Sequence, residues 1–127
     1  ELPEVWGDFG GISQVLANLL DNALKYRNPK RALRIIITGK NVGGKTLLCV
    51  EDNGRGFGSE QREKIWEPFT RLVSNDETPG EGLGLPLARK IVESNHGRVW
   101  AESREGEGSR FWIELPWEEP KRAKEEE

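Results

Sequence analysis

Two short glycine turns, each set between runs of strand-forming residues, limit what this chain can fold into more than any other feature. The first joins residues 33–39 (LRIIITG) to residues 46–52 (TLLCVED) across Asn41 to Lys45, which holds Gly43-Gly44. The second joins residues 98–104 to residues 109–115 across Glu105-Gly106-Glu107-Gly108. Runs of this kind closed by short glycine turns read as antiparallel hairpins. The run 46–52 is almost continuously apolar, which suits a central strand. Val99, Trp100, Phe111 and Ile113 are core candidates in the second hairpin.

A helical pattern precedes each hairpin. Over residues 9–27, Ile12, Leu16, Leu19, Leu20, Ala23 and Leu24 recur at helical spacing. Asp8 stands at the N-cap, and Asn28-Pro29 is a stop signal, because proline disfavours helix in the residue before it. Residues 84–95 form a second pattern, with Leu87, Ala88, Ile91 and Val92 on one face. Pro86 is tolerated there in the first turn, and His96-Gly97 closes the helix. Between these parts, Ser59 is expected to cap a short helix to about Glu67, ended by Pro68. Residues 70–82 are polar, contain Pro79, Gly80 and Gly82, and read as a mobile loop. The fold class is therefore α+β, a two-layer α/β sandwich with a mixed, mostly antiparallel sheet packed on three helices.

Composition narrows the function classes. The 127 residues suit one domain, expected over 1–116, and residues 117–127 are a charge run that reads as a disordered tail. A formal net charge of -3, with acids and bases interspersed, gives no basic face for nucleic acid. No apolar run is long enough to span a bilayer and no signal peptide opens the chain, so no membrane contact is expected from these residues. The single cysteine, Cys49, reads as a small buried hydrophobe and is compatible with the cytoplasm. The chain has no methionine, even at position 1, and reads as a piece of a longer protein.

Three segments carry chemistry. Asn18, Asn22 and Lys25 fall within roughly 60° of one another on the first helix. An amide oxygen suits a hard cation such as magnesium, and a lysine suits a phosphate, although a solvated polar face has the same pattern. Asp52 ends the central strand and runs into Asn53-Gly54-Arg55-Gly56. A carboxylate there can accept a hydrogen bond from the adenine amino group and repel the carbonyl of guanine, while the glycines let backbone approach a flat base. An aspartate in a turn after a strand is the plainer alternative. Gly80-Glu81-Gly82-Leu83-Gly84-Leu85 opens a helix, and its N–H groups could meet phosphate oxygens, or form only a glycine-rich turn. It matches neither the P-loop nor the dinucleotide fingerprint.

In this order, the segments resemble the histidine-kinase-type ATPase family with the Bergerat nucleotide-binding fold. Within it they look like the catalytic domain of sensor histidine kinases, phytochrome-like ones included. The resemblance covers about residues 3–116. Gln14 to Tyr26 matches the N box, Glu51 to Phe57 (EDNGRGF) the G1 box, and Ile65-Trp66-Glu67-Pro68-Phe69 the F box. Residues 80–85 match the G2 box, and Gly106-Glu107-Gly108-Ser109 the following glycine motif.

The resemblance implies ATP and Mg2+ as ligands and assigns roles. Asn22 would hold magnesium, and Lys25 and Tyr26 would meet the phosphates. Asp52 would read adenine, in a pocket shaped by Asn53, Gly54, Gly56, Phe57 and Ser109. Gly80, Gly82, Leu83, Gly84 and Leu85 would border the nucleotide, under a lid of residues 70–82 anchored by Phe69. Arg71 would meet the γ-phosphate. Asn18 stands where hydrolytic relatives carry a glutamate that activates water, and an amide is no general base. That favours transfer to another nucleophile over hydrolysis. His96 matches the family's helix-ending His-Gly segment rather than a phosphoacceptor. The implied partners are a histidine-bearing dimerisation domain outside this chain and a response-regulator receiver domain. The alternatives are a nucleotide-binding module without phosphotransfer, an ATP-hydrolysing relative, and a serine kinase of the anti-sigma type.

Overall fold

The structure, a computed structural model, describes residues 2–68 and 84–118. Helix α1 spans Phe9–Lys25, strands β1 and β2 span Ile35–Val42 and Lys45–Asp52, helix α2 spans Gly84–Ser94, and strands β3 and β4 span Arg98–Arg104 and Gly108–Pro116. The four strands form one sheet in the order β1-β2-β4-β3, antiparallel at every pairing. Both hairpins thus appear where the glycine turns place them, and β2 is central.

Strand alternation divides the sheet into two faces. Leu48, Val50, Phe111, Ile113, Leu115, Val99 and Ala101 face the helices and are buried with Val15, Leu19, Leu85, Ala88 and Val92. Burying each large apolar side chain contributes about 1.5–3 kcal/mol, so this shared core holds the two layers together. Cys49, Trp112 and Trp100 lie in register across the opposite face. There the two indoles stack, with centroids 6.3 Å apart and planes 16° from parallel. Trp100 is therefore an outer-face residue and not part of the helix-side core. Cys49 is buried as expected, and burial pushes its thiol pKa up.

The helix faces differ in detail from the sequence reading. Val15, absent from the apolar set named there, is buried, whereas Leu24 is 49% exposed and Leu87 44% exposed. Both lie at the margin of an apolar stripe, where the sheet curves away from a straight helix. Residues 59–67 form two 3-10 turns, Ser59–Gln61 and Lys64–Trp66, instead of one continuous helix. Ser59 makes no cap hydrogen bond; Gly58 stands at the N-cap. Ile65 and Trp66 fix this segment by packing into the core, with Trp66 edge-on to Phe111 at 6.1 Å.

The caps set the ends. Asp8 Oδ2 accepts from the Gly11 amide at 2.7 Å and starts α1. After α1, Asn28 Oδ1 accepts from the Lys30 amide at 2.9 Å and turns the chain. At the end of α2 the left-handed residue is His96, with φ 66°, and not Gly97. Gly97 serves close approach instead: a Cβ there would press on Glu114 O and lie 2.8 Å from Leu115 Cδ2.

The N-terminal segment is tied to the body by three bonds. Thr46 Oγ1 donates to Glu4 O at 2.6 Å, Trp6 N to Pro116 O at 2.8 Å, and Asp8 N to Asn95 Oδ1 at 2.8 Å. At the other end, Trp117 N donates to Gly44 O at 3.2 Å, so order continues one residue past β4. The tail from 119 onward lies outside the described residues.

Candidate functional site

Asp52 is the last residue of β2 and faces the helix layer, in phase with Leu48 and Val50. It is 8% exposed. Its Oδ1 accepts from the Gly54 amide at 2.9 Å, closing the turn that begins the glycine loop. Burial raises the Asp52 pKa above the usual carboxylate value of 3.8, partly offset by backbone donors at Gly54 and Ser109. The neighbouring charge of Glu51 adds to the rise. A buried carboxylate with spare lone pairs gains from any further donor, and a primary amine on a flat ring can supply one.

Three glycines let backbone segments converge around this carboxylate. A Cβ on Gly54 would lie 2.7 Å from Tyr26 O, so the loop seats against the C-terminal end of α1. Arg55 N donates to Tyr26 O at 2.9 Å in the same place. Gly56, at φ 69°, meets Arg104 O, and Gly108, at φ 120°, meets Asp52 O. The loop after β2, the end of α1 and the β3–β4 turn therefore share one corner of the molecule.

Ser109 lies opposite Asp52 in the β2–β4 register and is buried. Its hydroxyl is 2.9 Å from that of Ser103, which also accepts from Phe57 N and bonds to Gly108 O, each at 2.8 Å. Ser103 is a site-building residue that the sequence reading did not name. Its only signal was its cross-strand place beside Ser109. Asn53 also braces the loop after α1: its side-chain amide donates to Ala32 O at 2.9 Å and accepts from Arg34 N at 2.7 Å.

Helix α1 places Asn18, Asn22 and Lys25 on one stripe. Asn18 Nδ2 donates to Gly84 O at 3.1 Å, and its Oδ1 accepts from Gln14 Nε2 at 2.9 Å. This side chain ties α1 to the start of α2. Asn22 is half-buried and makes no side-chain hydrogen bond among the described residues. Lys25 pairs with Asp21 at 3.2 Å across one turn, a partly exposed contact that is weak enough to exchange for a phosphate. Tyr26 is the C-cap of α1. Gly84 opens α2 with open space around it among the described residues, and Leu85 is buried behind it. Phe69, Arg71, Gly80, Gly82, Leu83 and the expected lid lie outside the described residues.

An open groove of about 410 Å³ also lies at this end of the sheet. Asp52, Ser103, Gly108 and Ser109 line it, together with Glu51, Glu102, Arg104 and Arg110 from the alternate strand positions. The groove therefore reaches the Asp52 corner from the end of the sheet. His96 stands at the far end of α2, about 18 Å from Gly84 at the helical rise. Its ring packs against Trp6 with centroids 6.1 Å apart.

A buried strand-end carboxylate, a glycine loop folded against a helix with an asparagine stripe, and Gly84 opening the second helix together define a nucleotide-binding α+β domain. Residues 7–119 match the family described as histidine kinase-, DNA gyrase B-, and HSP90-like ATPase, and the chain belongs to that family. Within it the similar proteins are sensor kinases. The adaptive-response sensory kinase SasA of Synechocystis is 39% identical over 116 residues, covering 91% of this chain and 30% of the relative. Cyanobacterial phytochrome A of Nostoc is 36% identical over 115 residues, covering 91% and 15%. Among solved structures, the mycobacterial sensor histidine kinase MprB superposes with TM-score 0.77 at 28% identity, covering 88% of this chain and 76% of that one. The catalytic domain of histidine kinase ThkA gives 0.72 at 35%, covering 88% and 70%. The chain thus corresponds to the catalytic ATP-binding domain of histidine kinases, and spans less than a third of the length of these curated relatives.

Proposed function

We propose that this domain binds Mg2+–ATP and passes the γ-phosphoryl group to a histidine on a separate helical element, for relay to a receiver-domain aspartate in two-component signalling. The observation that carries the reading is the buried Asp52 carboxylate, with spare acceptor capacity, at the edge of the groove it lines with Ser103, Gly108 and Ser109. A full-length relative of the same fold, ShkA, has been solved with the ATP analogue AMPPNP, at TM-score 0.76 and 30% identity. By the resemblance, Asn53, Gly54, Gly56, Phe57 and Ser109 shape the base pocket, and Lys25 and Tyr26 meet the phosphates.

The donor set fits magnesium. Asn22 offers a hard neutral oxygen, and no group of three metal-binding side chains occurs among the described residues. Magnesium commonly takes few protein ligands and completes its shell with water and phosphates. When bound it would neutralise phosphate charge. In the transfer itself, an imidazole nitrogen forms a bond to the γ-phosphorus while the bond to the β,γ-bridging oxygen breaks, and ADP leaves. The domain's share is positioning. Arg71 is assigned to the γ-phosphate. The site and mode of action suit the cytoplasm. No helix among the described residues is long and apolar enough to cross a membrane.

Calorimetric titration with a non-hydrolysable magnesium–ATP analogue, with the GTP counterpart as control, tests the pocket. Saturable binding of the adenine form alone is expected. Absence of binding by a folded sample would remove the nucleotide reading. Adding the histidine-bearing helices in trans then tests transfer: failure to label them with bound ATP present would leave a binding module only. Hydrolysis as the main activity is disfavoured by Asn18, whose amide donates to Gly84 O, a bond that an ionised glutamate cannot make. Asn18→Glu is therefore expected to loosen the α1–α2 contact and to give no fast turnover. Steady ATP hydrolysis by the unmodified chain, no slower than in that variant, would favour the hydrolytic reading.

A further inference from the structure

The geometry points to Arg31 as a positioning residue that holds the base pocket closed from behind. It lies in the loop between α1 and β1, in the run Arg27-Asn28-Pro29-Lys30-Arg31 that follows the helix stop. Its guanidinium bonds to three backbone carbonyls. Nε donates to Asn53 O at 2.8 Å, and Nη2 donates to Gly54 O at 2.9 Å and to Gly106 O at 2.8 Å. The first two belong to the loop that follows Asp52, and the third to the β3–β4 turn that leads to Ser109.

Beyond the Phe57 N bond to Ser103 Oγ, few contacts hold these two loops together. Glycines at 54, 56 and 108 supply close approach, and Gly106 the positive φ of the turn, but none has a side chain to pack. Gly106 N bonds to Arg55 O, and otherwise three carbonyl oxygens converge with their negative ends toward one another. A planar cation with several donors is the group that satisfies such a cluster. A lysine ammonium is a single point and cannot fill the Nε and Nη2 positions at once. Asn53 fastens the same loop from its other side, through Ala32 O and Arg34 N. Arg31 is exposed and all three of its bonds go to loop carbonyls, so it acts through the loops.

This assignment rests on the nucleotide reading above. Arg31→Ala and Arg31→Lys in the 127-residue chain test it. The readouts are affinity for the magnesium–ATP analogue, affinity for magnesium triphosphate lacking a base, melting temperature, and hydrogen exchange at the Arg55 and Gly106 amides without nucleotide. Arg31→Ala is expected to weaken the ATP analogue by tenfold or more, to leave triphosphate affinity within twofold, and to speed exchange at both amides. Arg31→Lys should fall between the variant and the parent. Unchanged ATP affinity in Arg31→Ala, equal losses for ATP and triphosphate, or full rescue by lysine would each overturn the proposal. If the parent chain binds no ATP analogue, the nucleotide reading fails by itself. Exchange at the two amides then decides separately whether Arg31 holds the loops, and unchanged exchange removes that role too.

Discussion

Asp52 has two opposed demands on it. Burial penalises its charge, while adenine recognition needs the ionised, accepting form. Its raised pKa means that the folded chain keeps the proton to higher pH than the unfolded chain, whose group titrates near 3.8. The folded state therefore binds more protons between those two values, and stability falls as pH rises through that window. Above it the penalty is fully present. Asp52→Asn removes this penalty yet keeps an oxygen for the Gly54 amide. The variant should melt at the same temperature or slightly higher at neutral pH, lose the acid-side gain of the parent, and bind the ATP analogue at least tenfold more weakly. Thermal melts across pH and one calorimetric titration check all three. Unchanged affinity with unchanged melting would take Asp52 out of the site. Bound nucleotide should also lower the Asp52 pKa, because a donor on the base stabilises the anion.

At the scale of elements, the two hairpins were legible because a glycine turn and strand alternation are local signals. The two long helices were legible for the same reason. The cap at the end of α2 was not. Glycine is the usual left-handed residue, but here His96 takes φ 66° and Gly97 is used for contact with Glu114 and Leu115. Sequence identifies that a glycine is needed, but which constraint it answers depends on the strand that lies above it. Gly97→Ala is expected to cost about 1–3 kcal/mol by overpacking, read as a lower melting temperature. An unchanged melt would show that β4 shifts freely to accommodate the methyl group. The site divides in the same way. Asn22, Asp52, Gly54 and Gly84 stood out because their residue types are odd for their positions. Ser103 and Arg31 are ordinary in type, and only the long-range pairing of the β3–β4 turn with the loop after β2 gives them a part.

Across the whole molecule, the N-terminal segment links elements that are distant in sequence. Asn95 is its anchor on α2: it is 9% exposed, accepts from Asp8 N and donates to Ile91 O at 2.8 Å. Asn95→Ala would remove both part-buried bonds and leave the Asp8 amide without its partner, and should destabilise the domain by about 1–3 kcal/mol. The same variant should speed hydrogen exchange at Trp6 and Asp8 before exchange in β2 and β4 rises. Simultaneous loss of protection everywhere would mean that the segment and the body unfold as one unit.

The stacked Trp100 and Trp112 indoles carry a spectroscopic consequence. Two like chromophores held 6.3 Å apart couple their excited states, and any skew between their transition dipoles then gives a paired circular-dichroism band of opposite signs. One indole sits on each strand of the hairpin whose turn presents Gly106 and Gly108 to the site. The band therefore reports that hairpin alone, optically and without a label, while helix signals report the other layer.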